Sequence, residues 1–86
     1  MRMTTLARTP QQIGNAIRRA RKQLGLNQAE LGQRSGLRQA TVSLIETGNP
    51  AARIDTVLAL LAALDLEFQV APRTKQSSSD IGDWLD

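Results

Sequence analysis

Four positions near the middle of the sequence carry side chains that could read the edges of DNA bases. Val42 and Ile45 have the spacing of the apolar stripe of a short helix. The positions that face away from this stripe are Gln39, Ala40, Ser43 and Leu44. Outward glutamine can pair bidentately with adenine, and small apolar groups can contact the thymine methyl. The chemistry predicted for this segment is therefore recognition of base edges.

The elements that must position these side chains are two short helices joined by a tight turn, within residues 28–47. Leu31 and Leu37 supply further apolar positions, so that the two helices can pack together. Gly32 is expected where the helices cross, and a larger side chain there would push them apart. Gly36 falls where the first helix must end, a position that often needs a positive φ. The pattern predicts a DNA-reading helix-turn-helix, with a plain structural hairpin as the alternative.

The start of each helix supplies candidates for contacts to the DNA backbone. Asn27 and Glu30 have the spacing of a capping box, so the first helix of the motif should begin at Gln28. There, side chain and backbone N–H groups can hold a phosphate, although Gln28 could instead support Gln39 without touching DNA. Arg38 precedes the second helix, predicted at 39–46, and arginine is a poor N-cap. It could bind guanine or a phosphate, and the sequence leaves this open. The further phosphate candidates are Arg18, Arg19 and Thr41.

A first helix is predicted at about residues 10–24. Thr9 can cap it, Pro10 suits its first turn and Gln12 completes a capping box. Its apolar positions recur at helical spacing, and they are Ile13, Ile17, Ala20 and Leu24. Arg21 flanks this stripe, and we expect it to pair with Glu46 at the end of the second motif helix. Such a pair would clamp helix to helix and serve structure rather than catalysis.

The last ordered elements are expected to be a fourth helix at 54–64 and a single strand. The helix is apolar on more than one side, which indicates burial against the domain and a second subunit. Leu66, Phe68 and Val70 then alternate with polar residues, the pattern of a strand. Since a lone strand cannot satisfy its backbone groups, its simplest partner is its own copy. We therefore predict a two-stranded antiparallel lid in a homodimer.

The chain ends are predicted to lie outside the folded domain. Residues 1–8 are expected to form a flexible arm, residues 9–71 the DNA-binding and dimerisation domain, and residues 72–86 a disordered tail. The tail carries the chain's one tryptophan, Trp84, beside Leu85. An aromatic anchor on a spacer is typical of a short binding motif. The alternatives are that Trp84 folds back on its own dimer or makes no contact.

Composition excludes several classes of function. The 86 residues contain neither cysteine nor histidine, which excludes disulfides, thiolate metal sites and an imidazole base. No apolar run approaches the roughly 20 residues of a membrane span, so we expect a cytoplasmic protein that is not an enzyme and has no cofactor, metal or membrane partner. The chain through Arg53 has a net charge of +7 and the rest −4. A basic first part and an acidic last part of the chain indicate that the first part binds nucleic acid and the last part binds another partner. The alternative is that these charges are simply solvated.

The segment QLGLNQAELGQRSG, residues 23–36, resembles the helix-turn-helix of phage repressor and Cro proteins, the XRE family. Within that family, the segments IRRARKQLGLNQAEL, RQATVSLIE and LEFQV and the tail tryptophan are similar to those of the HipB-like antitoxins. The resemblance implies an all-α, lambda-repressor-like bundle with an intersubunit lid. It also implies operator binding and a tail that docks on a HipA-like serine/threonine kinase toxin. Base readout is carried, by the same resemblance, by Arg38, Gln39, Ala40 and Ser43. One departure is that Leu85 and Asp86 follow the tryptophan here.

The function expected from residues and resemblance together is that of an antitoxin and transcriptional autorepressor. It would bind double-stranded operator DNA as a homodimer and a HipA-like kinase through Trp84 and Leu85. The alternatives are a stand-alone XRE-family repressor and a module that bridges other proteins. A DNA affinity that falls steeply with salt concentration would distinguish the two DNA-binding functions from the protein-bridging one.

Overall fold

Four helices follow one another in the computed structural model, which describes residues 6–73. They are α1 (Pro10–Gln23), α2 (Gln28–Ser35), α3 (Gln39–Glu46) and α4 (Ile54–Ala63). Helix α3 packs against α1 and α2, and α4 packs against α2. The all-α class is therefore confirmed, and the helix boundaries agree with the predicted ones to within one residue. None of the helices in residues 6–73 is long and apolar enough to cross a membrane.

The helix starts follow from local hydrogen bonds. At α2 the predicted capping box is complete: Asn27 Oδ1 accepts from the Glu30 N–H at 2.8 Å, and Glu30 Oε1 accepts from the Asn27 N–H at 2.9 Å. At α1 only half of the predicted box forms. Thr9 Oγ1 accepts from the Gln12 N–H, but the Gln12 side chain accepts from the N–H of Arg8 rather than Thr9. The helix still begins at Pro10, and the Gln12 side chain caps the residue before Thr9 instead of Thr9 itself.

The core lies between the four helices. Its buried apolar side chains are Ile17, Leu31, Val42, Ile45, Leu60 and Leu64. On α4, Leu60 is fully buried while Leu58 and Ala62 are exposed. One side of α4 therefore remains uncovered in the single chain.

Two glycines allow backbones to approach more closely than any side chain would permit. A Cβ on Gly14 would lie 2.6 Å from the carbonyl oxygen of Glu46 and close to that of Ile45, at the end of α3. A Cβ on Gly32 would lie 2.7 Å from the carbonyl oxygen of Leu37. Gly32 thus makes room for the backbone of the turn rather than for the crossing of two helices. Gly36, at φ +74°, ends α2 in the left-handed conformation, as predicted.

The strand predicted at residues 66–70 is not formed in the single chain. Residues 6–73 contain no strand, and residues 66–70 have no regular secondary structure. The physical reason is that a strand needs a neighbour for its backbone N–H and C=O groups, which this part of the chain does not supply. After α4 the chain turns at Asp65, at φ +59°, and the Leu66 N–H donates to the Leu61 carbonyl at 2.7 Å.

Most of the predicted arm and tail lie outside the described residues. The structure does not describe residues 1–5 and 74–86. The predictions made for the tail, including Trp84 and Leu85, are therefore not tested by it. The proposed domain boundaries at 8/9 and 71/72 stay predictions.

We expect Gly14→Ala to lower the free energy of unfolding by about 1–3 kcal/mol, because the new methyl group meets backbone that cannot move independently. The loss should occur even though alanine is the better helix former by about 1 kcal/mol. The measurement is urea denaturation followed by circular dichroism. Asn15→Ala, at the exposed neighbouring position of α1, is the control and should leave stability nearly unchanged. Equal stability of both variants would show that α1 can shift away from α3.

Candidate nucleic-acid interface

The exposed side of α3 is the candidate reading face, which we define as Arg38, Gln39, Ala40 and Ser43. Arg38, Gln39 and Ala40 are exposed and Ser43 is half-buried, while Val42 and Ile45 on the opposite side are buried. Leu44 is also exposed, as expected. The structure thus places these four neighbouring residues on the solvent side of one helix, with α1 and α2 packed behind it.

The start of α3 is held without help from the Arg38 side chain. Arg38 is the N-cap, with extended backbone angles and no side-chain capping hydrogen bond. The guanidinium is exposed and not used to begin the helix. It is thus available to meet an anion or a base edge beside Gln39.

The other end of α3 is fixed by a buried ion pair to α1. Arg21 Nε donates to Glu46 Oε2 at 2.7 Å, and Arg21 Nη2 donates to Glu46 Oε1 at 2.9 Å. The predicted contact between these two residues is therefore present and bidentate. Arg21 Nη1 also donates to the carbonyl oxygen of Leu26 at 2.8 Å, in the connection between α1 and α2. One arginine thus joins α1, the following turn and α3.

Gln28 adds α2 to this network. Its Nε2 donates to Glu46 Oε1 at 3.2 Å, and the residue is half-buried. The expected alternative to a phosphate contact was support of Gln39, but the observed contact is with Glu46 at the opposite end of α3. Glu46 therefore accepts hydrogen bonds from α1 and α2, and together they set the angle of the reading helix.

Charge stabilises the carboxylate form of Glu46. Burial by itself raises the pKa of Glu46, but the hydrogen bonds from Arg21 and Gln28 and the charges of Arg21 and Arg18 outweigh it, so the net pKa is lowered. The hydrogen bond to Glu46 raises the pKa of Arg21. Within residues 6–73, no buried side-chain nitrogen or oxygen lacks a hydrogen-bond partner. The network is thus satisfied as a whole.

The remaining predicted phosphate contacts are two arginines of α1 and one threonine of α3. Arg18 and Arg19 are exposed on α1, and Thr41 is half-buried in the first turn of α3. The positive charge of Arg18 helps to lower the pKa of Glu46, so Arg18 lies near the ion pair of Arg21 with Glu46. The side chains of Arg18 and Arg19 are therefore accessible from solvent, and that of Thr41 is partly accessible.

Two residues that the sequence pattern did not identify, Arg53 and Asn49, also border α3. An open cavity of about 290 Å³ lies between α3 and the start of α4, lined by Thr41, Leu44, Ile45, Asn49, Ala51, Ala52, Arg53 and Thr56. Arg53 is the N-cap of α4 without a side-chain capping hydrogen bond and pairs with Asp55 at 3.1 Å. The signal used for Arg38, an arginine where a helix begins, could have identified Arg53. Among the described residues, no group of three or more acidic, histidine or cysteine side chains could hold a metal.

A bundle in which α3 presents polar residues outward while α2 packs behind it is the architecture of a helix-turn-helix DNA-binding protein. A family model described as helix-turn-helix matches residues 17–70, and the chain belongs to this family, in its XRE type. It is a HipB-like member, as the following comparisons show.

Two curated relatives represent the matches in sequence. Antitoxin HipB of Escherichia coli K12 is 34% identical over 60 residues, which cover 70% of this chain and 68% of HipB. The regulator y4dL of Sinorhizobium fredii, an HTH-type transcriptional regulator, is 35% identical over 68 residues, or 79% of this chain. This match spans only 35% of the regulator's own length.

Solved structures of HipB share the fold. A single-site variant of HipB in an O2 20mer complex superposes with a TM-score of 0.76 at 32% identity, covering 84% of this chain and all of that one. A HipA–HipB–O2–O3 complex contains a chain that matches with a TM-score of 0.76 at 28% identity, covering 83% of this chain and all of that one.

We expect removal of either Arg21 or Glu46 to destabilise the fold more than removal of both. Arg21→Met or Glu46→Met alone leaves a buried unpaired charge and should cost about 3–5 kcal/mol, while the double variant should recover a large part of this. The measurement is a double-mutant cycle of the free energy of unfolding. The matched control is the pair Arg53 and Asp55, whose side chains are 80% and 68% exposed and which should show weak coupling. Comparable coupling in the two cycles would contradict a special role for the buried pair.

The lowered pKa of Glu46 predicts a pH dependence of stability. A carboxyl whose pKa is lower in the folded state stabilises the fold above its unfolded pKa, here about 4.5, and this stabilisation is lost as the pH falls through the folded value. The free energy of unfolding should therefore fall more steeply below about pH 4.5 in the unmodified chain than in Glu46→Gln. Asp55→Asn is the control: the hydrogen bond from Arg53 also lowers the pKa of Asp55, but both side chains are exposed to solvent, so this substitution should change the slope much less. Parallel curves for the unmodified chain and Glu46→Gln would show that Glu46 contributes nothing to acid sensitivity.

Proposed function

We propose that this chain is a sequence-specific DNA-binding antitoxin and transcriptional autorepressor of a toxin–antitoxin operon. The observation that carries the proposal is the outward face of α3, held at its far end by the buried contacts of Glu46 with Arg21 and Gln28. A helix held in this way can enter the major groove with its polar residues already oriented.

The proposed base readout uses the reading face. Gln39 would pair with adenine, Ala40 would contact a thymine methyl, and Ser43 could contact any base within its reach. Arg38 would bind guanine or a phosphate beside them. This assignment is supported by the exposure of Arg38, Gln39 and Ala40 and by the absence of a capping role for Arg38.

Phosphate contacts would set the register of the protein on DNA. We assign them to Gln28, Arg18, Arg19 and Thr41. Gln28 would act from the N-terminus of α2, where the first backbone N–H groups of the helix can donate to a phosphate while its side-chain Nε2 donates to Glu46. Each lost charged phosphate contact should reduce the dependence of affinity on salt concentration.

The DNA-binding unit would be a homodimer closed by a lid of residues 66–70 from each copy. The support is that Leu66, Phe68 and Val70 are all exposed in the single chain, with Phe68 61% and Val70 93% exposed. Pairing two such segments would satisfy their backbones and cover these side chains. A dimer would also present two α3 helices to half-sites about 34–36 Å apart.

The antitoxin assignment rests on likeness to HipB. The curated relative is named an antitoxin, and HipB has been solved together with HipA. By this likeness, a HipA-like serine/threonine kinase would be the toxin, held by Trp84 and Leu85 in the tail. Trp84 and Leu85 lie outside the described residues, so the assignment to the tail depends on the sequence pattern.

A second candidate function is that of a stand-alone XRE-type regulator without a toxin partner. The match to the Sinorhizobium fredii regulator, which is of similar identity to the HipB match, favours it. The two candidates share the reading face and differ in whether the tail binds a kinase.

We expect Gln39→Ala to weaken binding to the operator by about 1–3 kcal/mol and binding to random DNA much less. The probe is DNA from upstream of the chain's own operon, narrowed by footprinting, and the measurement is fluorescence anisotropy at several salt concentrations. Gln33→Ala, at another exposed glutamine outside α3, is the matched control and should bind like the unmodified chain. If Gln39→Ala lowers the affinity for the operator and for random DNA equally, Gln39 contacts the DNA backbone and does not read the base sequence.

Deleting residues 80–86 should leave operator affinity nearly unchanged while weakening binding to the proposed HipA-like kinase. Removing an aromatic anchor of this kind typically costs about 2–4 kcal/mol. The measurement pairs operator titration with calorimetric binding of the purified kinase, on full-length and shortened chains. Trp84→Ala in the full chain tests the anchor alone. Undiminished kinase binding by both variants would show that the tail is not the anchor.

A further inference from the structure

A large apolar side chain, Leu44, lies on the exposed side of α3 beside the reading face. Leu44 is 53% exposed, whereas the other large apolar residues of this helix, Val42 and Ile45, are buried. It borders the open cavity between α3 and the start of α4, but more than half of its side chain still contacts water. A single exposed leucine is ordinary on a protein surface. Packing in the core, however, does not account for a leucine at this position of the helix.

The geometry of the helix places Leu44 in line with Ala40. Residues four positions apart lie on the same side of a helix, about 6 Å apart along its axis. Both residues are exposed, so together they form a short apolar strip on the outward side of α3. Gln39 and Ser43 are also four positions apart and form the neighbouring polar strip. Leu44 therefore lies as close to the centre of the outward side as the residues assigned to base readout.

The surroundings of Leu44 favour DNA over a second protein as its partner. Besides Leu44, Ile45 and two alanines, the cavity beside it is lined by polar or basic side chains, which are Thr41, Asn49, Arg53 and Thr56. A protein docking site has instead a contiguous apolar patch with few charges at its centre. One leucine among hydroxyl, amide and guanidinium groups suits a DNA groove, where phosphates meet the polar groups and a base meets the apolar one.

The major groove offers one kind of apolar group to a leucine. The base edges there present hydrogen-bond donors and acceptors, and the methyl group on C5 of thymine is the exception. A methyl group on C5 of cytosine lies at the corresponding position of its ring. The N-terminal residues of a recognition helix contact the base edges most directly. A residue one turn further along, such as Leu44, therefore requires a longer side chain than Ala40 to reach a base.

We propose that Leu44 contacts the C5-methyl group of a pyrimidine in the operator, so that operator affinity depends on the presence of this methyl group. The inference rests on the proposed DNA-binding function and adds a specificity-determining residue to it. Since Leu44 lies about 6 Å from Ala40 and neighbouring base pairs are about 3.4 Å apart, the two residues would contact different base pairs.

The thymine methyl group is tested with deoxyuridine, which lacks only that group. Each thymine of the footprinted operator is replaced in turn, and affinity is measured by fluorescence anisotropy. At the base that Leu44 contacts, the unmodified chain should lose affinity about threefold to tenfold, as expected for one buried methyl group. Leu44→Ala should bind both forms of the DNA equally at that position. Leu44→Met, which keeps a long apolar side chain, should retain the difference.

Methylated cytosine is tested by the converse replacement, 5-methylcytosine for each cytosine in turn. A gain of about threefold to tenfold that Leu44→Ala lacks would assign the methyl group to cytosine rather than thymine. The matched control in both series is Leu24→Ala, at a leucine that is 52% exposed but lies at the end of α1. It should show the same methyl dependence as the unmodified chain. Circular dichroism checks that all variants are folded.

The outcomes separate this inference from the function on which it rests. An unmodified chain that binds the operator no more tightly than random DNA would overturn both. Specific binding in which Leu44→Ala responds to every methyl replacement like the unmodified chain would overturn only the contact of Leu44. A methyl dependence that Leu24→Ala also removes would contradict it too, because the effect would not depend on the position of Leu44. A dependence that only Leu44→Ala removes supports the proposal.

Discussion

A buried carboxylate determines how the helices of this protein are arranged. Glu46 is removed from water at the end of α3, and an unpaired charge there would cost several kcal/mol. Its hydrogen bonds come from two other helices, with Arg21 on α1 and Gln28 at the start of α2. Both donors reach the same carboxylate only if α1 and the start of α2 lie close to the end of α3, so these hydrogen bonds constrain the relative placement of the three helices. The ion pair thus specifies geometry, whatever its net contribution to stability, and the apolar core supplies most of the free energy.

This constraint explains how a short helix can serve as a reading element. Helix α3 has eight residues, which is too short to be stable alone in water. It is held at its last residue by the carboxylate network and at its first by the tight turn, where Gly32 lets the carbonyl oxygen of Leu37 approach α2. Between these ends, Val42 and Ile45 anchor the buried side. The backbone from Gln39 to Ser43 is therefore fixed in the free chain, and in the proposed DNA complex this would reduce the entropy lost on binding.

A single chain leaves the apolar side chains of residues 66–70 and of one side of α4 exposed to water. The segment from Leu66 to Val70 has the pattern of a strand, yet it is not a strand in the described part of one chain. Together with the exposed side of α4, it forms an apolar surface that water does not favour. A second copy would satisfy the backbone and the side chains of this segment at once. By this reasoning dimerisation would be linked to DNA binding, since two reading helices need a fixed spacing.

The sequence by itself determined the local features of this protein. The bounds of the four helices, the capping of α2 and the left-handed Gly36 depend on residues a few positions apart, whose hydrogen bonds and apolar spacing are visible in the chain. The pairing of Arg21 with Glu46 was also predictable, because it joins the flank of one stripe to the end of another. Only the tertiary structure showed the close approach of Gly14 to α3, the choice of Glu46 as the partner of Gln28 and the burial of Leu60 rather than Leu58. These features depend on the distance and rotation between elements far apart in the chain, which periodicity within one helix does not encode.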